Sequence, residues 1–329
     1  MKAVVITQHG DVDGLAYREV PELDCGPDDL LVRVRATALN RADILQRKGH
    51  YPPPRPSAEF EIPGLEFAGE VEAAGSRVTD FQVGDRVMGL TAAGGHAQKL
   101  VVPSRMAVEV PNELDWHQAA SLPEVFITAH DALVTQCGLT SGETVLIHAA
   151  GSGVGIAAIQ IARTLGTSFI LGTAGSASKL ARACELGLDF GINYNTDDFS
   201  QIVARVCGPE GVDVILDVVG AKYLEKNINS LRLKGRMVLV GLLGGALAQV
   251  NLAMLLSKRL TIRGTSLRSR PLEEKIAATR AFEKSVVPLI VHGRIQPIVD
   301  RVFPLSDIQE AHRYMESNAN FGKIVLDVS

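Results

Sequence analysis

The chain has 329 residues, 46% of them hydrophobic and 21% charged, with a formal net charge of −4. That length exceeds the usual single core, so two domains are expected, in a composition typical of soluble globular proteins. A net negative balance gives no electrostatic reason to expect a nucleic acid or an anionic membrane as partner, and no apolar run is long enough to span a bilayer.

The N-terminal MKAVVITQHG lacks the apolar region of a signal peptide. Cys25, Cys137, Cys184 and Cys207 are scattered without a CxxC pair, which predicts a reducing, cytoplasmic setting rather than a disulfide framework or a zinc knuckle.

Residues 1–122 alternate short β-rich runs with Gly/Pro punctuation. In DLLVRVRAT, Val32 and Val34 fall on one face and Arg33 and Arg35 on the other, the period-2 pattern of a half-buried strand. YPPPRP and VGDRV mark turns between similar runs. The rhythm changes over 123–265, where ETVLIHAA, SFILGTA, VDVILDVVG, RMVLVGL and LTIRGTSL alternate with amphipathic helical stretches. Continuous apolar strands between helices predict a parallel sheet covered on both faces, a doubly wound dinucleotide-type domain. LTIRGTSL comes last and is expected at the sheet edge, where a second copy could pair to make a homodimer. Residues 266–329 return to helix and strand and are expected to complete the first domain. Within them, Ser306 and Gln309 spell a capping box for the helix containing Ala311 and Met315.

The loop HAAGSGVG, His148 to Gly155, sits between an apolar strand and the helical run IAAIQIARTLG. Gly153, Gly155 and Ala158 fit the G-x-G-x-x-G/A spacing, in which glycines allow a tight turn and a close approach to a pyrophosphate at a helix N-terminus. The other reading of the loop is a tight strand-to-helix turn without a ligand; the flanking strand–helix units favour the dinucleotide. There is no G-x-S-x-G elbow and no glycine run ending in Gly-Lys-Ser/Thr, so hydrolase and P-loop signals are missing.

An NAD enzyme usually carries Asp or Glu about 20 residues beyond the glycines. Here Ser168 to Ser178 reads SFILGTAGSAS with no acid, followed by Lys179. A serine at Ser176 capping the next helix, with Lys179 in its first turn, suits a 2′-phosphate, since the helix dipole alone disfavours a cation there. This favours NADPH over NADH; the other reading of Lys179 is a lysine on a solvated helix face.

Together, ALNRADILQRKGHY, PGLEFAGEV, VGDRVMGL, HAAGSGVGIAAIQIAR, TAGSASKL, LDVVG and GKIVL resemble the zinc-independent, zeta-crystallin-like quinone oxidoreductases of the medium-chain dehydrogenase/reductase superfamily, over essentially the whole chain. The NRAD, TAGS and GKIVL stretches are most similar to the tumour-suppressor-inducible subgroup. The resemblance implies an α/β architecture: a GroES-like, mostly β catalytic domain (1–122, completed by 266–329) and a doubly wound Rossmann NADP-binding domain (123–265). Zinc-dependent relatives carry a Cys ligand where this chain has Asn40 and a Gly-His-Glu where it has Gly64-Leu65-Glu66; neither Asn nor Leu supplies a thiolate or imidazole. The four-cysteine structural zinc lobe is missing too, since VMGL leads directly to AGGHAQ. The family's A-x-x-G-x-x-G register reads Ala149, Ser152, Gly155.

By resemblance, Gly151, Ser152, Gly153, Val154 and Gly155 would lie under the pyrophosphate, with Thr173, Gly175, Ser176, Lys179 and Tyr194 toward the adenosine phosphate. Gly241, Leu242, Leu243, Ser266 and Leu267 would follow the nicotinamide, with Asn320 and Lys323 closing one side and Thr128 nearby. The implied reaction is NADPH-dependent reduction of a quinone without zinc or flavin, with Asn40 or Tyr51 donating to the acceptor oxygen. Asn40 also reads as a turn asparagine and Tyr51 as a loop aromatic, and Asp43 reads as structural. Two other functions stay open: reduction of an enone or 2-enoyl thioester, and non-catalytic NADPH binding. The eight histidines form no metal-binding motif, and no metal site is expected.

Overall fold

The structure is a computed structural model that describes residues 1–51 and 60–328; the turn signal YPPPRP lies, beyond its tyrosine, outside the described residues. The chain divides into two compact units, Met1–Ile127 with Arg268–Ser329, and Thr128–Leu267.

The first unit opens with β1 (Lys2–Ile6) paired antiparallel to β2 (Leu15–Glu19). Strand β3 (Asp29–Leu39) follows, burying Leu30, Val32 and Val34 and exposing Arg33, as the alternation requires. Its extended backbone runs through Asn40 into α1 (Arg41–Arg47), and the Asp43 carboxylate accepts the Asn40 N–H at 2.7 Å, closing one arm of a capping box. Strands β4 (Glu66–Ala74), β5 (Arg86–Leu90), β6 (Lys99–Pro103) and β7 (Ala107–Glu109) extend the sheet, with β4 and β6 both pairing with β3. Helix α2 (Trp116–Ala120) is capped reciprocally by Asp115 and Gln118. Helix α3 (Pro123–His130) starts on a proline, whose missing N–H costs nothing in a first turn.

Past α3 the chain makes a π-helical turn, Asp131–Gln136, of a type that local sequence does not announce. The second unit then alternates β8 (Thr144–Ile147), α4 (Gly153–Thr164), β9 (Phe169–Ala174), α5 (Ala177–Glu185), β10 (Phe190–Asn193), α6 (Phe199–Cys207), β11 (Val212–Asp217), α7 (Leu224–Ser230), β12 (Leu231–Leu239), α8 (Leu252–Lys258) and β13 (Thr261–Gly264). The strands are parallel and ordered β10-β9-β8-β11-β12-β13, the Rossmann order, which reverses direction around its first strand. Leu146, Leu171, Ile215 and Met237 from four of these strands pack with Phe199 and Val203 of α6 in one apolar cluster. Strand β13 is an edge.

The remaining segment adds α9 (Leu272–Ser285), α10 (Val287–Val291), β14 (Val299–Pro304), α11 (Ile308–Glu316) and β15 (Lys323–Asp327) to the first unit. Strand β15 pairs antiparallel with β3 in the register Ile324↔Leu39 and Val325↔Ala38, which brings Lys323 to the end of β3 beside Asn40. Ala311 and Met315 are buried on α11, but the expected capping box is not made. A 3-10 turn, Leu305–Asp307, enters the helix; Ser306 bonds Asp307, and Gln309 donates to the Leu15 carbonyl at 3.0 Å. A tertiary acceptor and a tighter entry turn outcompete the local motif.

Candidate functional site

In the second unit, Ser152 caps α4 by accepting the Gly155 N–H at 3.1 Å, so Gly153, Val154 and Gly155 form the opening turn of the helix. The turn before it bends sharply at Ala149, whose φ of 54° is left-handed, and passes through Gly151. A Cβ at Gly155 would lie 2.3 Å from the Ala149 carbonyl oxygen, so only glycine lets the helix start this close to the strand. The helix N-terminus thus lies at the carboxyl end of the sheet with its partial positive charge, which suits an anionic ligand.

A buried polar chain supports this loop. Asp217 accepts the Val219 N–H at 2.6 Å and the Asn227 Nδ2 at 3.0 Å. Asn227 must then present Oδ1 to His148 Nε2, at 2.7 Å, so Nε2 carries the proton and Nδ1 accepts from the Thr173 hydroxyl at 3.0 Å. Burial holds the His148 imidazole down at about 4, so it is neutral at pH 7, and raises the Asp217 carboxyl to about 6. The Thr173 carbonyl in turn accepts the Ala150 N–H at 2.8 Å, tying β9 to the loop. His148 and Asn227 were not among the residues expected to matter; only the position of His148 at the head of the loop signalled it.

At the end of β9, Ser176 caps α5 by accepting the Lys179 N–H at 3.3 Å, and Lys179 stands in the first turn as expected. The Tyr194 side chain, 46% exposed, packs its hydroxyl over Gly175, where a Cβ would approach it to 2.6 Å. Gly241, Leu242 and Leu243 follow β12, with both leucines more than half exposed, and Ser266 and Leu267 follow β13. Thr128 is buried on α3. All the cofactor residues expected in this unit except Thr128 therefore lie at, or follow, the carboxyl ends of parallel strands, where doubly wound sheets bind ligands.

The first unit gathers the rest. Glu66, wholly buried, accepts from Lys323 Nζ at 2.8 Å, from Asn40 Nδ2 at 2.9 Å and from the Glu124 N–H at 2.8 Å. Lys323 also donates to Asn40 Oδ1 at 2.6 Å and to the Leu39 carbonyl at 3.0 Å. An ammonium has three hydrogens, and all are taken. The Lys323 charge is therefore spent inside the fold. The Asn40 amide hydrogens face Glu66 and, at 3.3 Å, the Ala38 carbonyl, so this asparagine is a held group rather than an open donor. Asp43, accepting the Asn40 and Gly64 N–H groups, is structural as read.

Tyr51 lies with its ring 4.8 Å from the Arg268 guanidinium, which also donates to the Tyr51 carbonyl at 3.1 Å, to Gln46 Oε1 at 2.7 Å and to the Ala92 carbonyl at 2.7 Å. This buried arginine, which nothing in the sequence singled out, fixes the tyrosine. Asn320 turns its amide onto the Gly322 carbonyl at 2.9 Å. At the positions where zinc-dependent relatives hold their metal, Asn40 and Leu65 offer no thiolate or imidazole and Glu66 is already paired with an ammonium, so these residues do not fit a catalytic zinc ion.

Models for two domain families match the chain: the alcohol dehydrogenase GroES-like domain over residues 26–112 and the zinc-binding dehydrogenase over 153–284. The chain is 33% identical to the Homo sapiens synaptic vesicle membrane protein VAT-1 homolog, over 99% of this chain and 86% of that protein. A structure of Escherichia coli quinone oxidoreductase complexed with NADPH superposes with a TM-score of 0.90 at 29% identity, covering 100% of both chains. The chain belongs to the quinone-oxidoreductase-like branch of the medium-chain dehydrogenase/reductase superfamily. Its GroES-like and Rossmann-type domains are those of this oxidoreductase family. The branch is not uniform in substrate: a 2-haloacrylate reductase from Burkholderia sp. is 32% identical over 98% of this chain and 98% of that protein. No described helix is long and apolar enough to cross a membrane.

Proposed function

We propose that this chain is an NADPH:quinone oxidoreductase that works without zinc or flavin. The observation that carries the cofactor choice is the end of β9, where Ser176 and Lys179 meet the first turn of α5 and no acidic residue stands between Phe169 and Lys179. A 2′-phosphate is repelled by a carboxylate there and favoured by the serine, the lysine and the helix N-terminus together. Bound NADPH supplies a hydride, two electrons and a proton's worth of nucleus in one transfer. The protein's share is to hold the loop, place an electron-poor acceptor and stabilise the charge that grows on its oxygen. The E. coli quinone oxidoreductase at 29% identity supports a quinone as that acceptor.

The Burkholderia 2-haloacrylate reductase supports a second reading, reduction of a conjugated carbonyl compound, which needs the same hydride and a similar oxygen donor. The test is NADPH oxidation by chelator-treated protein with an ortho-quinone, a 2-haloacrylate and a 2-enoyl thioester, each against NADH. Faster quinone turnover with NADPH supports the main reading; preference for either enoyl acceptor moves the chain to the second. Tight NADPH binding with silence toward all three leaves a non-catalytic NADPH-binding protein.

We also assign it a homodimer in a reducing cytoplasm. The edge strand β13 and the exposed Leu247, Leu252 and Leu256 support self-association, and four unpaired thiols support the compartment. A monomer by light scattering at micromolar concentration contradicts the dimer.

A further inference from the structure

The strand order of the second unit reverses between β8 and β11, which lie side by side in the sheet. A dinucleotide laid along the carboxyl ends of such a sheet crosses that point, with one half on each side. Asp217 ends β11 and is wholly buried, and its two carboxylate oxygens serve different partners. Oδ1 accepts the Val219 N–H at 2.6 Å and the Gly220 N–H at 3.2 Å; Oδ2 accepts the Asn227 amide at 3.0 Å and shares the Gly220 N–H at 3.2 Å.

The Oδ1 arm fixes the loop that follows β12. The Asp217 carbonyl accepts the Val240 N–H at 2.8 Å, the Val218 carbonyl the Leu243 N–H at 3.2 Å and the Val219 carbonyl the Gly244 N–H at 2.7 Å, while Ala221 donates to the Gly245 carbonyl at 3.0 Å. Gly220 has a φ of 80°, and a Cβ there would lie 2.9 Å from the Gly245 carbonyl oxygen, so the close approach of the two loops needs glycine. Holding Val219 and Gly220 by their N–H groups therefore holds Gly241, Leu242 and Leu243, the segment read as following the nicotinamide.

The Oδ2 arm runs the other way, through Asn227, His148 and Thr173 to the Ala150 N–H of the glycine loop. Phe199 and Tyr223 pack edge-on against His148, each with its ring centroid 4.8 Å away, which opposes turning the imidazole over to exchange its nitrogens. The proton positions along this arm all follow from Oδ2 being an acceptor.

We propose that Asp217 is a positioning residue that sets the nicotinamide side and the pyrophosphate side of the cofactor site in register, an inference that rests on the NADPH-dependent reading above. One oxygen holds the loop on each side of the point where the strand order reverses. Buried as it is, the carboxylate acts through these backbone groups and through His148 rather than by touching the cofactor.

The experiment cuts the arms separately. Asn227→Leu cuts only the Oδ2 arm and Asp217→Ala cuts both, with Asp217→Ser in its place if the alanine variant does not fold. Each is titrated with NADPH and with 2′,5′-ADP, which carries the adenosine half alone. Asn227→Leu should lose about 10-fold in affinity for both ligands, leaving their ratio as in wild type. Asp217→Ala should lose about 10-fold for 2′,5′-ADP and about 100-fold for NADPH, because the nicotinamide side is loosened as well. Asp217→Asn, which keeps the Oδ1 arm, should return that ratio to the wild-type value.

The asparagine variant also gives a readout independent of affinity. Its amide meets Asn227 as a donor, so Asn227 turns its oxygen toward it and its NH2 toward His148. His148 must then accept on Nε2 and carry its proton on Nδ1, donating to the Thr173 hydroxyl. Imidazole nitrogen chemical shifts should therefore report Nε2–H in wild type and Nδ1–H in Asp217→Asn, a change that loss of packing alone does not produce. In a wild type that binds both ligands, an unchanged affinity ratio on cutting both arms, or one His148 tautomer in wild type and Asp217→Asn, overturns the positioning role. A wild type that binds neither ligand removes the NADPH reading, and the positioning role with it.

Discussion

Each unit buries a polar network next to residues expected at its site, and the two are built in different electrical states. Under the glycine loop, Thr173, His148 and Asn227 form a chain of neutral hydrogen bonds ending on Asp217, with every proton position fixed by the carboxylate at its end. In the first unit, Glu66, Lys323 and Asn40 form an ion pair with an amide bridged across it, beside two further carboxyls. The neutral chain sets geometry: it ties the ends of β8, β9 and β11 so that the loop presents backbone N–H groups. The charged cluster sets an electrostatic environment, in which burial and Glu66 push the Glu124 carboxyl up. Positioning a ligand needs directional bonds whose protons are fixed at neutral pH.

The largest expected effect comes from unbalancing the charged cluster. Lys323→Met leaves Glu66 buried without its cation and should cost about 3–5 kcal/mol of folding stability in urea titration. Adding Glu66→Gln should return much of that loss; a double variant no more stable than the single one would show that the ion pair is not what organises the cluster. The neutral chain should respond to pH. As pH falls, the unfolded chain protonates His148 near 6.5 while the folded one resists to about 4, so the native state loses stability across that window. Relative to His148→Gln, wild type should give up about 3 kcal/mol between those pH values, measured as the change in their stability difference. Stability curves that stay parallel would break the contrast between the networks.

Smaller effects sharpen the division of labour. Lys179→Ala, outside both networks, should weaken NADPH binding about 10- to 100-fold and barely change NADH, since one charge-assisted contact to the 2′-phosphate is lost. Equal losses for the two cofactors would remove the 2′-phosphate assignment. Thr173→Val leaves His148 Nδ1 without its donor and should cost about 1 kcal/mol of stability, with the loop's grip on NADPH loosened in proportion.

The period-2 strand of β3, the strand–helix alternation of the second unit, the glycine loop and the serine–lysine pair after β9 were all legible, because each depends on residues close together in the chain. Tyr51, Asn40 and Lys323 could be picked out as residues, but their partners, Glu66 among them, could not. Lys323 at the head of GKIVL reads as the basic start of a strand. Its acceptors on Asn40 and Glu66 stand 283 and 257 positions away, and the pairing of β3 with both β15 and β4 brings them together. Ser306 and Gln309 show the opposite failure, a local motif correctly spelled and then displaced when Gln309 finds the Leu15 carbonyl 294 positions away.

The sequence by itself determined the elements, the two-part organisation and the anion-binding loop, since hydrophobic period, glycine spacing and helix-start chemistry act within a few residues. Only the tertiary structure decided which charges are spent on one another. Ionisation depends on burial and on every charge within several ångströms, and those neighbours are set by strand pairing rather than by chain order.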